Sequence, residues 1–159
     1  MKKVLLFGLF VFLMACSKGN KQMGLAERFF EIYSKRGEID QMLSFYADDF
    51  QYENIGFESE TDDPKFLYEK FYGWSDKAFQ YESEKTVEVD EIVVGEKSIV
   101  AKGTTKNYIY NGKAVEGTRF VIWLELDESG KIVQQTDWFD YPMEEIIEAY
   151  QLKNAMQIR

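Results

Sequence analysis

The 159-residue chain contains no histidine, one cysteine and two prolines. Without histidine there is no Ser-His or Cys-His nucleophile pair and no histidine-ligated zinc or iron, so any chemistry falls to carboxylates, tyrosines, lysines and amides. A lone Cys16 cannot close an intramolecular disulfide, and stability has to come from packing. No Asp-x-Asp-x-Asp-Gly run offers a calcium loop, and the residues call for no metal or other cofactor. The longest apolar run, residues 4–15, reaches roughly 18 Å as a helix, well short of the roughly 30 Å core of a bilayer.

That short run follows Met1-Lys2-Lys3 and ends in Leu13-Met14-Ala15-Cys16. A basic start, a short apolar stretch and a small residue before the cut are the parts of a secretion signal. Leu-Met-Ala-Cys resembles the lipobox of bacterial lipoproteins, with Met14 standing where a small or aliphatic residue is usual. The resemblance implies cleavage before Cys16 and acylation of that cysteine. It divides the chain into a signal peptide at 1–15, a lipidated polar tether at 16–24 and one domain at 25–159. It also implies an address in the bacterial cell envelope, on the outer membrane in preference to the inner, because Ser17 stands where a retaining aspartate would be. Lys2 and Lys3 are the only charges in the signal, so the net charge of −9 becomes −11 once their two positive charges are removed. An acidic chain repels nucleic acid and anionic headgroups, which leaves the acyl chains to hold the membrane.

Leu25, Phe29, Ile32 and Tyr33 recur at helical spacing, and Lys35-Arg36-Gly37 closes that helix. Ile39, Met42, Leu43 and Tyr46 predict a second, short helix. Phe50, Tyr52 and Asn54 alternate along a strand and share one face. Asp63-Pro64 is an N-cap with proline in the first turn, and Phe66, Leu67, Phe71 and Trp74 mark the buried side of a third helix. Beyond Trp74 the period becomes two and predicts strands at 79–91, 98–110, 114–126 and 132–140. Asn111-Gly112 reads as a hairpin turn, and Asp127-Glu128-Ser129-Gly130 as a loop. Asp140 is placed to cap a last helix from Pro142, with Met143, Ile146, Ile147 and Tyr150 on one side. Helices followed by long antiparallel strands predict an α+β domain with helices on one face of a sheet.

Three segments together resemble the nuclear-transport-factor-2-like superfamily, which takes in SnoaL-like polyketide cyclases, ketosteroid isomerase and limonene-epoxide hydrolase. They are Phe45-Tyr46-Ala47-Asp48-Asp49-Phe50 after the paired helices, the Asp63-Pro64 helix, and the run from Gly130 to Asp140 that contains Gln135-Thr136-Asp137-Trp138-Phe139. The resemblance implies a curved antiparallel sheet wrapped as a cone around N-terminal helices, with a C-terminal helix and a pocket at the wide end. It also implies homodimers through the exposed sheet face. The isomerase's tyrosine and two aspartates align with Phe30, Asn54 and Ile122, so that reaction is not expected. The epoxide hydrolase's water-holding tyrosine, asparagine and aspartate match Tyr52, Asn54 and Asp137. Its arginine and acid on a middle strand have no counterpart near Lys102-Gly103-Thr104-Thr105.

Two functional readings follow. The first is a lipid-anchored protein whose pocket, lined by Phe30, Phe50, Ile122, Gln135 and Phe139, binds a small apolar or amphipathic molecule, or a protein partner, without catalysis. The second is a hydrolase, isomerase or cyclase-like enzyme in which Asp137 is the general base and Tyr52 and Asn54 position water or substrate. A carboxylate beside Trp138 and Phe139 is partly desolvated, which lifts its pKa toward the general-base range.

Overall fold

The computed structural model describes residues 21–144, 146–147 and 150–151; Cys16, the signal and the start of the tether lie outside the described residues. The first helix, α1, covers 21–35; of its expected inner residues Phe29 and Tyr33 are buried and Leu25 and Ile32 partly so, and Ala26 and Phe30 are buried beside them. Helix α2 (Ile39–Leu43) is shorter than expected, because Tyr46 already belongs to β1 (Tyr46–Asn54) and pairs with Ile132. Strand β2 (Ser59–Thr61) returns antiparallel along the end of β1.

Asp63 caps α3 (Pro64–Phe66): its carboxylate accepts from the backbone N–H of Lys65 at 2.8 Å and of Phe66 at 3.2 Å. The helix then widens over Leu67–Phe71, where the Tyr72 N–H bonds to the Leu67 carbonyl five residues back at 2.9 Å. A wider turn shifts the phase of the side chains. Tyr68 is fully buried beside Leu67, and Leu67 and Trp74 are buried as expected, whereas Phe66, expected on the inner side, is 50% exposed.

The remaining strands are β3 (Phe79–Tyr81), β4 (Val87–Val94), β5 (Ser98–Thr105), β6 (Tyr108–Tyr110), β7 (Lys113–Val115), β8 (Arg119–Leu126) and β9 (Ile132–Phe139). Three of the predicted long strands each divide in two, and the pieces sort into a six-stranded sheet, β2-β1-β9-β8-β5-β4, and a three-stranded one, β3-β6-β7. The division occurs where the β5–β8 hairpin folds over itself. There Gly117 packs so closely on the Thr105 carbonyl that a Cβ would overlap it, and the Thr105 N–H bonds to the Thr118 carbonyl at 2.8 Å. Asn111 and Gly112, with φ of 50° and 77°, form the turn at the folded tip, as the Asn-Gly pair predicts.

Every neighbouring strand pair is antiparallel except β1 and β9, which run parallel, so the curved sheet is mixed where an antiparallel one was expected. Both strands enter from the same end, where the Ile132 N–H bonds to the Phe45 carbonyl at 2.9 Å. The sheet's inner face buries Phe50, Ile99, Ala101, Phe120, Ile122 and Leu124 against the helices, and its outer face exposes Val121, Trp123 and Trp138. Asp140 does not act as the expected cap: its carboxylate takes Arg119 at 2.6 Å, and the helical residues begin at Met143, where Met143 and Ile147 are exposed.

Strand β4 carries a bulge between Val89 and Glu91, where Val89 stands opposite Gly103. A Cβ on Gly103 would overlap the Glu88 carbonyl oxygen and come within 2.8 Å of the Phe120 ring. Gly103→Ala should therefore destabilise the fold by about 2–4 kcal/mol in denaturant titration. Gly24→Ala, whose Cβ meets nothing within 4 Å, should leave the midpoint unchanged or slightly raised.

Candidate functional site

The parallel pairing of β1 with β9 sets Tyr52 beside Gln135 and Asn54 beside Asp137; on the other side, β8 sets Ile122 beside Asp137. All of these side chains point inward. Asn54, Gln135 and Asp137 are fully buried and Tyr52 is nearly so. The three residues matched to the water-holding set are thus brought together, and the period-two reading of both strands holds.

Their hydrogen bonds form one network. The Tyr52 hydroxyl donates to Asp137 Oδ2 at 3.3 Å and accepts from Asn54 Nδ2 at 3.3 Å. Asn54 Nδ2 also donates to the Tyr141 hydroxyl at 3.1 Å, while its Oδ1 accepts the Phe57 N–H at 3.1 Å. Gln135 Nε2 donates to Asp137 Oδ1 at 3.0 Å and to the Tyr72 hydroxyl at 3.1 Å, and Tyr72 in turn donates to Asp137 Oδ2. Gln135 Oε1 accepts from Tyr46 at 2.6 Å. With that proton committed, the Tyr68 hydroxyl, 2.5 Å from the Tyr46 oxygen, is the donor of the pair.

Asp137 therefore accepts from two tyrosines and an amide, and among the described residues no cation reaches it. Burial raises its pKa from 3.8 to about 7, although the bonds from Tyr72, Gln135 and Tyr52 pull the other way. Burial, and next the Asp137 charge, push the Tyr52 and Tyr72 hydroxyls upward, so both stay protonated and remain donors. Among the described residues no three carboxylates or cysteines gather so as to hold a metal ion.

A cavity of about 730 Å³ opens between the two sheets and the ends of α1 and α3. Its walls include Tyr33, Phe71, Tyr72, Trp74, Phe79 and Phe139, and among the described residues Arg36 and Glu116 are the charged ones that line it. Of the expected lining residues Phe139 alone is on the wall. Phe30, Phe50, Ile122 and Gln135 do not line it: they lie in the core behind, because α1 and the α3 segment pack directly on the inner face of β1, β8 and β9. Asp137 does not line the cavity either, and Tyr72 and Tyr141 carry its network to the wall.

The alternation of β1 and β9 disclosed Tyr52, Asn54, Gln135 and Asp137. Tyr72 and Tyr68 were missed because their inward aim depends on the widened turn. Arg36 was read only as a basic residue closing α1, and nothing local in the sequence marks its place on the cavity wall. The inner face of β5 carries Ala101 and Gly103, so no acid–base pair stands there opposite Asp137.

Residues 26–135 match the model of the SnoaL-like domain. No curated protein matches the chain in sequence. Among solved structures, an LEH-like epoxide hydrolase from M. tuberculosis is 17% identical with a TM-score of 0.60, over 88% of this chain and 96% of that one. An NTF2-like protein from Anabaena variabilis is 18% identical with a TM-score of 0.57, over 79% and 91%. TerC, co-crystallised with polyporic acid, is 16% identical with a TM-score of 0.55, over 75% and 91%. At these identities the likeness is one of fold.

The raised pKa of Asp137 has a consequence for stability. Between about pH 4 and about pH 7 the folded state holds a proton that the unfolded state has released, so stability falls as pH rises through that window. The full loss is about 4 kcal/mol. Chemical denaturation across pH 4–8 should show wild type losing stability relative to Asp137→Asn as pH rises; parallel curves would contradict the shift.

Proposed function

The chain belongs to the SnoaL-like domain family, and from that premise we propose that it is a lipid-anchored protein of the bacterial envelope whose cavity binds a small apolar or amphipathic molecule without catalysis. One observation carries the reading: Asp137, among the described residues the sole carboxyl in the inner network, is fully enclosed, is engaged by three donors and stands behind the cavity wall. A general base has to come within hydrogen-bond reach of the proton it takes. The bare inner face of β5 at Ala101 and Gly103 supports the same reading, since nothing there protonates a leaving oxygen. A cavity of about 730 Å³ lies within the ordinary range for a bound small molecule. The outer sheet face, with Val121, Trp123 and Trp138 exposed, is available to a second copy or another protein.

A second reading has its own support. Tyr72 lines the cavity, its hydroxyl donates to Asp137, and a carboxyl titrating near 7 suits a general base acting through that hydroxyl. In that case Tyr52 and Asn54 hold Asp137 in place and do not hold water directly.

Native mass spectrometry of the chain, purified gently from its own membrane, should reveal a co-purifying small molecule; a cavity that is empty in every preparation would oppose the binding reading. Cys16→Ser should move the protein from the membrane to the soluble fraction, and unchanged membrane association would oppose the anchor. The two readings separate on Asp137→Asn. Binding of the co-purified molecule should persist within about threefold, whereas under the enzyme reading turnover of that molecule would be present in wild type and lost in the variant.

A further inference from the structure

Helix α1 ends in a C-terminal motif in which the Gly37 N–H bonds to the Ile32 carbonyl at 3.1 Å and the Arg36 N–H to the Tyr33 carbonyl at 3.2 Å. The position that this motif drives into the left-handed region, usually a glycine, is held by Arg36, with φ of 47°. A side chain there is strained, and Gly37 stands one residue further on. What the strain achieves is to turn the guanidinium into the cavity wall.

There the guanidinium lies over three rings, with centroid distances of 5.4 Å to Trp74, 5.1 Å to Phe79 and 5.5 Å to Tyr81. Nη1 donates to the Tyr81 hydroxyl at 2.9 Å, and Nη2 donates to the Tyr72 carbonyl at 2.7 Å and to the Gly73 carbonyl. Three of the five N–H groups are thereby used. Among the described residues the other two, on Nε and Nη1, have no acceptor, and no carboxylate lies within ion-pair distance. A guanidinium in an apolar cavity without a counter-charge is a site for an anion.

The surroundings narrow the anion. A dianion would meet a single cation with Glu116 on the same wall, in a chain of net charge −9. A cationic guest is excluded because the aromatic cage already holds Arg36. The lining offers mainly aromatic surface for the rest of the guest. Resting on the binding reading above, we propose that the cavity takes a small apolar monocarboxylic acid. Its carboxylate accepts from an uncommitted N–H of Arg36, and its apolar body lies against Phe71, Trp74, Phe79 and Phe139. Arg36 is then the residue that selects acids over neutral analogues of the same shape.

The test is calorimetric titration of the full chain with naphthaleneacetate, with its uncharged amide and with naphthyl phosphate. Wild type should bind the acid about tenfold more tightly than the amide and no less tightly than the phosphate. Arg36→Gln should abolish that preference, bringing the acid and amide affinities within about twofold of each other. Arg36→Lys, which keeps the charge and loses the planar guanidinium held by Tyr72, Gly73 and Tyr81, should retain a smaller preference for the acid; it decides the matter if the glutamine variant does not melt cooperatively. Equal binding of acid and amide by wild type, an undiminished preference in Arg36→Gln, no preference in Arg36→Lys, or tighter binding of the phosphate would each overturn the proposal. Binding of the amide without preference for the acid leaves the pocket standing; failure of all three compounds to bind at millimolar concentration removes pocket and proposal together.

Discussion

The interior is organised around a carboxyl enclosed without a cation. Taking a carboxylate out of water is expensive, and what offsets it here is a set of donors drawn from separate parts of the fold. Tyr52 comes from β1, Tyr72 from the segment after α3, and Gln135 from β9 itself. Behind them Asn54, Tyr46, Tyr68 and Tyr141 hold the donors in place. Every inner polar side chain of this layer leads to Asp137 within a few bonds, so the widened turn, the parallel strand pair and the chain after β9 depend on one another through a single group.

Tyr72 joins that layer to the cavity. Its hydroxyl donates to Asp137, and its carbonyl accepts from Arg36. The molecule's enclosed acid and its cavity-wall base are thus held apart by one residue that touches both. Neither neutralises the other, which leaves Asp137 close to proton exchange at neutral pH and Arg36 with donors to spare. The cavity wall thus carries a tyrosine hydroxyl and a guanidinium, while Tyr52, Asn54 and Asp137 stand behind it.

What could be read from the chain divides by the range of the signal. Phe50, Tyr52 and Asn54, and likewise Gln135, Asp137 and Phe139, were legible because alternation along a strand is a local property that the sheet preserves. The Asp63 cap and the Asn111-Gly112 turn were legible because each is a matter of a few adjacent residues. The split of 98–110 and 114–126 was not, because alternation continues across the fold at Thr105 and Gly117, and only the crossing of the two segments reveals it. Helical spacing overlooked Tyr68 and Tyr72, since the turn from Leu67 closes on a five-residue hydrogen bond that ordinary helical spacing does not contain; Trp74 beyond it is buried as expected. Arg36 was invisible for another reason: a basic residue at a helix end is commonplace, and its meaning lies in the three rings that distant segments bring to it.

The parallel contact between the first and ninth strands also governs when the molecule can become itself. A chain can close contacts between neighbours in sequence early, but a pairing of residues 52 and 54 with 135 and 137 must wait for more than eighty intervening residues to be ordered. The hairpins β4–β5 and β5–β8 have no such delay. The interior network therefore rests on a pairing between strands far apart in the chain, and its carboxyl and its donors meet only where that pairing is made.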